Sequence, residues 1–406
     1  MKIGFVSAWL ERGATYVTKS YIGLLKDKHE ILVYARGGEK YEKGNPNLDT
    51  KNITWGLRLG STKIDWSHFA KWIRRNNLDV IFFNEQRDIL IVLMIKKFFP
   101  NIKVGAYVDY YTEDSVSDFK IYDFLICNTR RHYSVFSWHK GAYYIPWGTD
   151  IDIFNINEQQ MQQNNTKLKF FHSMGMSERK GTDILVNSFI NGKLYEKNAK
   201  LIIHSQVNID HIISEYDSKK YNIEIIKKEV PAPGLYHLGD VYVYPTTLDG
   251  LGLTIYEALA CGMPVITTDN PPMNEIVNES NGRLVKVELL RSRKDGYYWP
   301  LSFVNEESLI QAMEYYCKNR SNLAVFKEVA RKFAETNLNI YDRKDSVCKI
   351  FEQAPLLKRT TNEIEEWIAK EKFKQKKIKN RGVIDMFLSN SVKHILRSKV
   401  EGKRNQ

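Results

Sequence analysis

The feature that most narrows the possible folds is a rhythm that runs twice. Short, β-rich apolar runs alternate with amphipathic stretches from residue 2 to about 129, pause, and resume at 168. In the first run "KIGFVSA" (2–8), "EILVYA" (30–35), "DVIFFN" (79–84), "IKVGAYV" (102–108) and "YDFLICNT" (122–129) read as strands. "TKSYIGLLKDK" (18–28), "WSHFAKWIRRNN" (66–77) and "DILIVLMIKKFF" (88–99) lie between them and read as helices. Strand, helix, strand in this order implies a parallel sheet covered on both faces.

The pause falls at "NEQQMQQNNT" (157–166), which is polar, amide-rich and without period, and reads as a linker. Beyond it, strands are expected at "LKFFHS" (168–173), "AKLIIHS" (199–205), "IEIIKKEV" (223–230), "DVYVYPT" (240–246), "MPVITTD" (263–269) and "NGRLVKV" (281–287). "GTDILVNSFI" (181–190) opens a helix, and "ESLIQAMEYYCKN" (307–319) and "LAVFKEVARKFAETN" (323–337) close the unit. The chain thus holds two doubly wound α/β units. Ligands of such units bind in crevices outside the carboxyl ends of the strands, so the cleft between them is the expected site.

Composition bounds what that site serves. At 406 residues the chain exceeds one ordinary core and suits two or three domains. Its net charge is +12, unevenly placed: from Lys358 onward there are fourteen Lys/Arg against six Asp/Glu, a balance of +8, so the first 357 residues carry +4. Positive charge attracts nucleic acid, anionic lipid or phosphorylated small molecules. Its concentration in one tail, with no interleaved aromatic motif of the usual RNA-binding kind, argues against nucleic acid. The four cysteines, Cys127, Cys261, Cys317 and Cys348, form no CxxC and no cluster with His. Neither disulfides nor a structural zinc are expected, and a reducing compartment fits. The start reads as a first strand rather than a signal peptide, and no window reaches about 18 uncharged apolar residues.

The segment 240–269 carries most of the chemistry. An apolar strand ends near Pro245, and "DGLG" (249–252) turns the chain. "LTIYEALACG" follows as a helix with Gly252, Leu253 and Thr254 at its start. The first N–H groups of a helix lack internal partners and carry partial positive charge, so a glycine turn leading into them suits a phosphate. Glu257 lies about one turn further in. A carboxylate accepts two hydrogen bonds side by side, which suits the vicinal hydroxyls of a ribose. The plain alternative is a strand–turn–helix with a polar helix residue.

The run "DGLGLTIYEALACGMPVI" (249–266) closely resembles the donor-site signature of family 4 retaining glycosyltransferases. That signature is an acid, Gly, an aromatic or apolar residue, Gly, Leu, three variable residues, Glu, then Ala-x-Ala-x-Gly-x-Pro-Val. Asp269, Asn274-Glu275 and Asn281-Gly282 are similar to the segment that follows it in the family. The resemblance covers roughly residues 1–355 and is strongest over 165–287. It implies a GT-B fold, two Rossmann-like domains facing a central cleft with the donor held mostly by the second. The expected division is 1–150 for the acceptor-side domain, 151–167 for the linker and 168–340 for the donor domain. A helix at 341–357 packs back on the first domain, and 358–406 forms a basic helical tail. "IPWGTDIDIF" (145–154) resembles the family's crossing point.

Carried over residue by residue, the resemblance implies that Glu257 contacts the donor ribose. It gives the diphosphate to backbone groups of Gly252, Leu253 and Thr254, beside Gly250 of the same turn. Asp249, one methylene shorter than the usual Glu, inherits the contact to the transferred sugar. "SMGMSERKG" (173–181) resembles the family's Gly-Arg…Lys-Gly segment, with Gly175 as the glycine and Lys180 as the lysine that neutralises the diphosphate. The family arginine position is Met176, and Arg179 stands near enough to compensate. "ERGAT" (11–15) resembles the family's glycine loop, where Gly13 lets backbone approach donor phosphate or acceptor, or simply makes a βα turn. Where many members carry a cleft histidine, this chain has Asp109 or a neighbouring tyrosine; Asp109 contacts sugar or acceptor or caps a helix. Glu85 and Arg87, at a strand end on the same side, are acceptor-side candidates.

The family implies transfer from a UDP- or GDP-sugar with retention, no metal and no cofactor beyond the donor. The acceptor is a hydroxyl on a glycan or lipid-linked glycan in cell-surface polysaccharide synthesis. Within 358–406, "VIDMFLSNSVKHIL" (383–396) looks amphipathic and suits an anionic membrane surface, or else the tail is solvated or packed on the first domain. The expected location is cytoplasmic, peripheral on the inner face of the membrane. Two other readings share the fold: a nucleotide-sugar epimerase and a non-catalytic nucleotide-sugar-binding partner subunit.

Overall fold

The structure is a computed structural model that describes residues 1–11, 13–36, 42–59, 62–155 and 167–387, with side chains to Lys376. Seven strands form the first sheet: β1 (Lys2–Ala8), β2 (Glu30–Arg36), β3 (Ile53–Trp55), β4 (Val80–Phe83), β5 (Lys103–Tyr107), β6 (Phe124–Cys127) and β7 (Ala142–Tyr144). They are parallel throughout, in the order β3-β2-β1-β4-β5-β6-β7. The second sheet holds β8 (Leu168–Gly175), β9 (Ala199–Ser205), β10 (Ile223–Lys227), β11 (Val241–Tyr244), β12 (Val265–Thr268) and β13 (Gly282–Val285). Its order is β10-β9-β8-β11-β12-β13, again parallel. Every residue of β4, β6, β11 and β12 is buried, as strands covered on both faces require.

Strand order reverses direction between β1 and β4 in the first sheet and between β8 and β11 in the second. Crevices open at such switch points. The loops that leave these four strands carry Gly13, Glu85, Lys180 and Asp249.

The chain returns to the first domain at its end. Thr149 and Asn339 form a parallel bridge between the outgoing and returning segments. A Cβ on Gly148 would lie 2.7 Å from the Leu338 carbonyl oxygen, so only glycine lets them touch. Helix Lys344–Gln353 then packs on helix Gly13–Leu25. Its Phe351 enters the first domain's aromatic core, with ring centroids 5.0 Å from Phe82 and 5.3 Å from Phe124. Asp123 ties this return together. It pairs with buried Lys96 and accepts from the backbone N–H of Val104 at 2.6 Å and of Leu357 at 2.8 Å. The long helix Thr361–Phe387 lies along helix Leu90–Phe98, burying Ile364 and Ile368 in the first domain. Most of the apolar face expected at 383–396, residues 388–396, lies outside the described residues, as do the side chains from 377 on. No helix among the described residues is long and apolar enough to cross a membrane.

Three expectations change. The first helix starts at Gly13 rather than at residue 18, so it begins within the segment 11–15 read as the glycine loop. Two edge strands, β3 and β7, have only three half-buried residues each, too few to show a pattern. The strand expected at 281–287 is two: β13 ends at Val285, and exposed Lys286 leads into β14 (Val287–Arg291), which pairs antiparallel with β15 (Leu301–Val304). The tip of that hairpin carries Tyr297, Tyr298 and Trp299 onto the first domain, where Tyr298 donates its N–H to the Tyr111 carbonyl at 3.0 Å.

Candidate active site

The turn after β11 is held by the side chain of Asp249. Its Oδ1 accepts from the N–H groups of Leu251 (3.3 Å) and Gly252 (3.0 Å), and Gly252 takes the left-handed φ of +73° that starts helix Leu253–Ala260. Its Oδ2 accepts from the Tyr244 hydroxyl and from Lys180 Nζ, each at 2.5 Å. Lys180 also hydrogen-bonds the Tyr244 hydroxyl. Burial pushes the Asp249 carboxyl up, but the Lys180 charge and the bonds from Lys180, Tyr244 and Gly252 outweigh it and hold it well below the usual range. All acceptor positions of this carboxylate are therefore engaged by the chain, and contact with a sugar requires Lys180 or Tyr244 to give way.

Lys180 reaches this place because of its neighbour. Gly181 has φ +74°, and a Cβ there would lie 2.1 Å from the Pro245 carbonyl oxygen. The Lys-Gly pair thus seats the loop after β8 on the end of β11. Behind it, neutral His172 bonds the Val243 carbonyl and the Thr182 hydroxyl, each at 2.8 Å; burial brings its pKa down to about 4.

Glu257 sits one turn into the helix, where Tyr236 donates to its Oε2 at 2.5 Å. Burial raises its pKa, and the Tyr236 bond and the Lys180 charge oppose the rise. Thr254 Oγ1 is buried near the Tyr242 and Tyr244 hydroxyls without a well-aligned hydrogen bond.

The first domain faces this arrangement closely. A Cβ on Gly13 would lie 3.5 Å from Leu253 Cδ1, so helix Gly13–Leu25 begins opposite the start of helix Leu253–Ala260. A Cβ on Gly250 would lie 2.8 Å from Asp109 Oδ1, which places that acid against the Asp249 turn. Glu85 has a left-handed φ of +54°, accepts from Arg36 at its carbonyl, and lies with Asp109 near buried Tyr107. Arg87 stacks 3.8 Å over the Tyr110 ring, which in turn stacks on Tyr297 of the hairpin. Gly175, φ +60°, ends β8 with open space where a side chain would be. Arg179 is the expected residue that the structure does not gather in. It is exposed, its Nε donates to the Ser177 hydroxyl at 3.4 Å, and Met176 beside it is 63% exposed.

Several residues at the site were not foreseen from the sequence. Tyr244 had a readable signal, since a tyrosine in an apolar strand usually needs a partner for its hydroxyl, whereas Tyr236, in the loop segment "PGLYHLG", had none. Arg131, His132 and Glu275 had none for the contacts they make, which join segments more than a hundred residues apart. Arg131 Nη2 donates to the Asp249 carbonyl at 2.6 Å, and the Glu275 carboxylate accepts from the N–H groups of Arg130 and Arg131.

The chain is similar to known proteins in sequence and in fold. The family described as "Glycosyl transferases group 1" matches residues 166–292. The lipopolysaccharide core biosynthesis mannosyltransferase LpsB of Rhizobium meliloti (strain 1021) is 27% identical over 139 residues, 31% of this chain and 40% of that protein. The capsular polysaccharide biosynthesis glycosyltransferase CapM of Staphylococcus aureus is 32% identical over 114 residues, 26% of this chain and 30% of that protein. The chain thus spans less than half the length of these two relatives. In three dimensions it is similar to Alr3699/HepE of Anabaena, solved with UDP and glucose, at a TM-score of 0.65 and 14% identity over 87% of this chain and 100% of that one. Residues 166–292 thus match the group 1 glycosyltransferase family, and the chain as a whole has the GT-B fold, two parallel-sheet α/β domains as in HepE.

Proposed function

We propose that this chain is a retaining glycosyltransferase. It moves a sugar from a UDP- or GDP-sugar to a hydroxyl of a glycan or lipid-linked glycan in cell-surface polysaccharide synthesis. The observation that carries the reading is the convergence at the start of helix Leu253–Ala260. Asp249 takes the Gly252 N–H, leaving those of Leu253 and Thr254 at the helix start; Lys180 is held there by Asp249, Glu257 lies one turn further in, and Gly13 of the other domain stands opposite Leu253. A diphosphate fits these two N–H groups and Lys180, and a ribose fits Glu257.

In this reading the bond between the anomeric carbon and the diphosphate breaks while the acceptor hydroxyl attacks from the same face, its proton passing to the departing diphosphate oxygen. Lys180 and the helix N–H groups take up the charge of the leaving diphosphate, with no metal required. Asp109 and Glu85 face sugar or acceptor from the first domain, with Arg87 behind them. Asp249 fixes Lys180. Similar structures support a uridine donor, since HepE and the pneumococcal O-GlcNAc transferase GtfA were each solved with UDP. The relatives LpsB and CapM support a polysaccharide acceptor. The basic tail suits a lipid-linked one at an anionic membrane surface.

A thermal-shift screen against UDP, GDP, ADP and their sugars tests this. A ligand at 100 times its Kd adds about 2.7 kcal/mol to stability, several degrees for a protein of this size. One base is expected to raise the melting temperature, and NMR of the product to show the donor's anomeric configuration kept. No shift with any nucleotide overturns the reading, and an inverted product overturns retention.

A further inference from the structure

Three consecutive residues of the first domain, Arg130, Arg131 and His132, grip the loops of the second. Arg131 is 4% exposed, and its guanidinium bridges two of those loops. Nη1 donates to the Pro271 carbonyl after β12 at 2.5 Å, and Nη2 to the Asp249 carbonyl after β11 at 2.6 Å. Trp299, from the hairpin tip, covers it at 5.3 Å and donates its own N–H to the Tyr111 hydroxyl at 2.6 Å. That hydroxyl meets His132 Nδ1 at 2.8 Å, and the other side of the His132 ring faces the Gly250 backbone. Glu275 closes the group, accepting from the N–H of Arg130 at 2.6 Å and of Arg131 at 2.8 Å.

Burying a guanidinium is costly unless it is well bonded, and Arg131 Nε has no hydrogen-bond partner. A chain that only needed to join its domains would do so at lower cost with apolar contacts. What this cation does that an apolar side chain does not is fix a carbonyl. The carbonyl belongs to Asp249, whose side chain holds Lys180 on one oxygen and starts the donor-side helix with the other. Its planar fork reaches both loops at once, which a lysine does not.

We infer that Arg131 is a positioning residue of the donor site, acting across the domain boundary through Asp249 to set the place of Lys180. The donor site is then assembled only when the acceptor-side domain is docked. The inference rests on the nucleotide-sugar reading for its functional meaning, and on the contacts alone for the coupling.

Two measurements on the full chain test it, using Arg131→Gln, Arg131→Lys and Lys180→Met. The first is calorimetric titration of UDP and GDP. Arg131→Gln weakens the nucleotide that binds the wild type by about tenfold, the size of one charge-assisted hydrogen bond. Arg131→Lys recovers part of that loss. In the Lys180→Met background Arg131→Gln has no further effect, because its route is gone. The second needs no nucleotide: the acylation rate of Lys180 by mass spectrometry, against exposed Lys219 as internal standard. Arg131→Gln speeds Lys180 labelling several-fold and leaves Lys219 unchanged; should Arg131→Gln fail to fold, Arg131→Lys gives both readouts. Unchanged affinity and unchanged Lys180 labelling overturn the inference, as does an equal loss with and without Lys180. A wild type that binds no nucleotide, with Lys180 labelling still dependent on Arg131, overturns the nucleotide reading and upholds the coupling.

Discussion

Glu257 and Tyr236 concentrate the chemistry at the scale of single residues. Burial raises the folded-state pKa of Glu257 above its unfolded value, so stability falls as pH rises from the unfolded pKa to the folded one and carries the full cost above it. Glu257→Gln removes that cost. At pH 7 the variant should melt at or above the wild-type temperature while its nucleotide affinity falls about 10- to 100-fold, the worth of hydrogen bonds to a charged acceptor. Melting curves and calorimetry on the same sample check both; a variant that melts lower and binds normally contradicts the assignment. The same raised pKa sets a pH dependence. Affinity for nucleotide is full above it and lost as pH falls through it, earlier than an ordinary carboxylate would lose it. Tyr236 opposes the rise by donating to the charged form. Tyr236→Phe should therefore move the acid limb of the affinity profile to higher pH, and an unmoved limb would show that Tyr236 only fills space.

At the scale of elements the site depends on how β8 and β11 end. Gly181 combines a left-handed φ with a Cβ position 2.1 Å from the Pro245 carbonyl oxygen. Gly181→Ala is expected to cost at least about 1–3 kcal/mol in urea unfolding, because strain and overlap add. It should also weaken nucleotide binding by moving Lys180; loss of stability with unchanged binding contradicts the seating role. The central strands were legible in the sequence because parallel strands covered on both faces are continuous apolar runs. β3 and β7 were not, since a three-residue half-buried edge has no period. The hairpin β14–β15 was hidden because its outer residues are exposed and its aromatic tip pairs with the other domain. In the site, the Gly252 turn and Glu257 one turn on were legible from local spacing, whereas Lys180 and the role of Asp249 came from the family resemblance; the structure brings Lys180 onto Asp249. Arg131 was not legible, because it lies on a helix of seven residues and its partner is 118 positions away. Arg179 misled for a related reason: nearness in sequence to Lys180 does not set the direction of its side chain.

For the whole molecule, the returning C-terminal segment makes the first domain depend on the end of the chain. Buried Asp123 is its anchor, shared by Lys96, β5 and Leu357. Asp123→Ala leaves the Lys96 ammonium buried without its partner, and stability should fall by about 3–5 kcal/mol in denaturant titration. A loss under about 1 kcal/mol would show that the pair adds little, as exposed pairs do. The larger claim is that two domains meet around a nucleoside diphosphate at the start of helix Leu253–Ala260. Calorimetric titration of the wild type and of Lys180→Met with UDP and with GDP tests it most directly. The account predicts saturable one-to-one binding of one of them to the wild type and at least about tenfold weaker binding to the variant, one charge-assisted contact. Absence of binding to the wild type, or equal affinity in Lys180→Met, would contradict it.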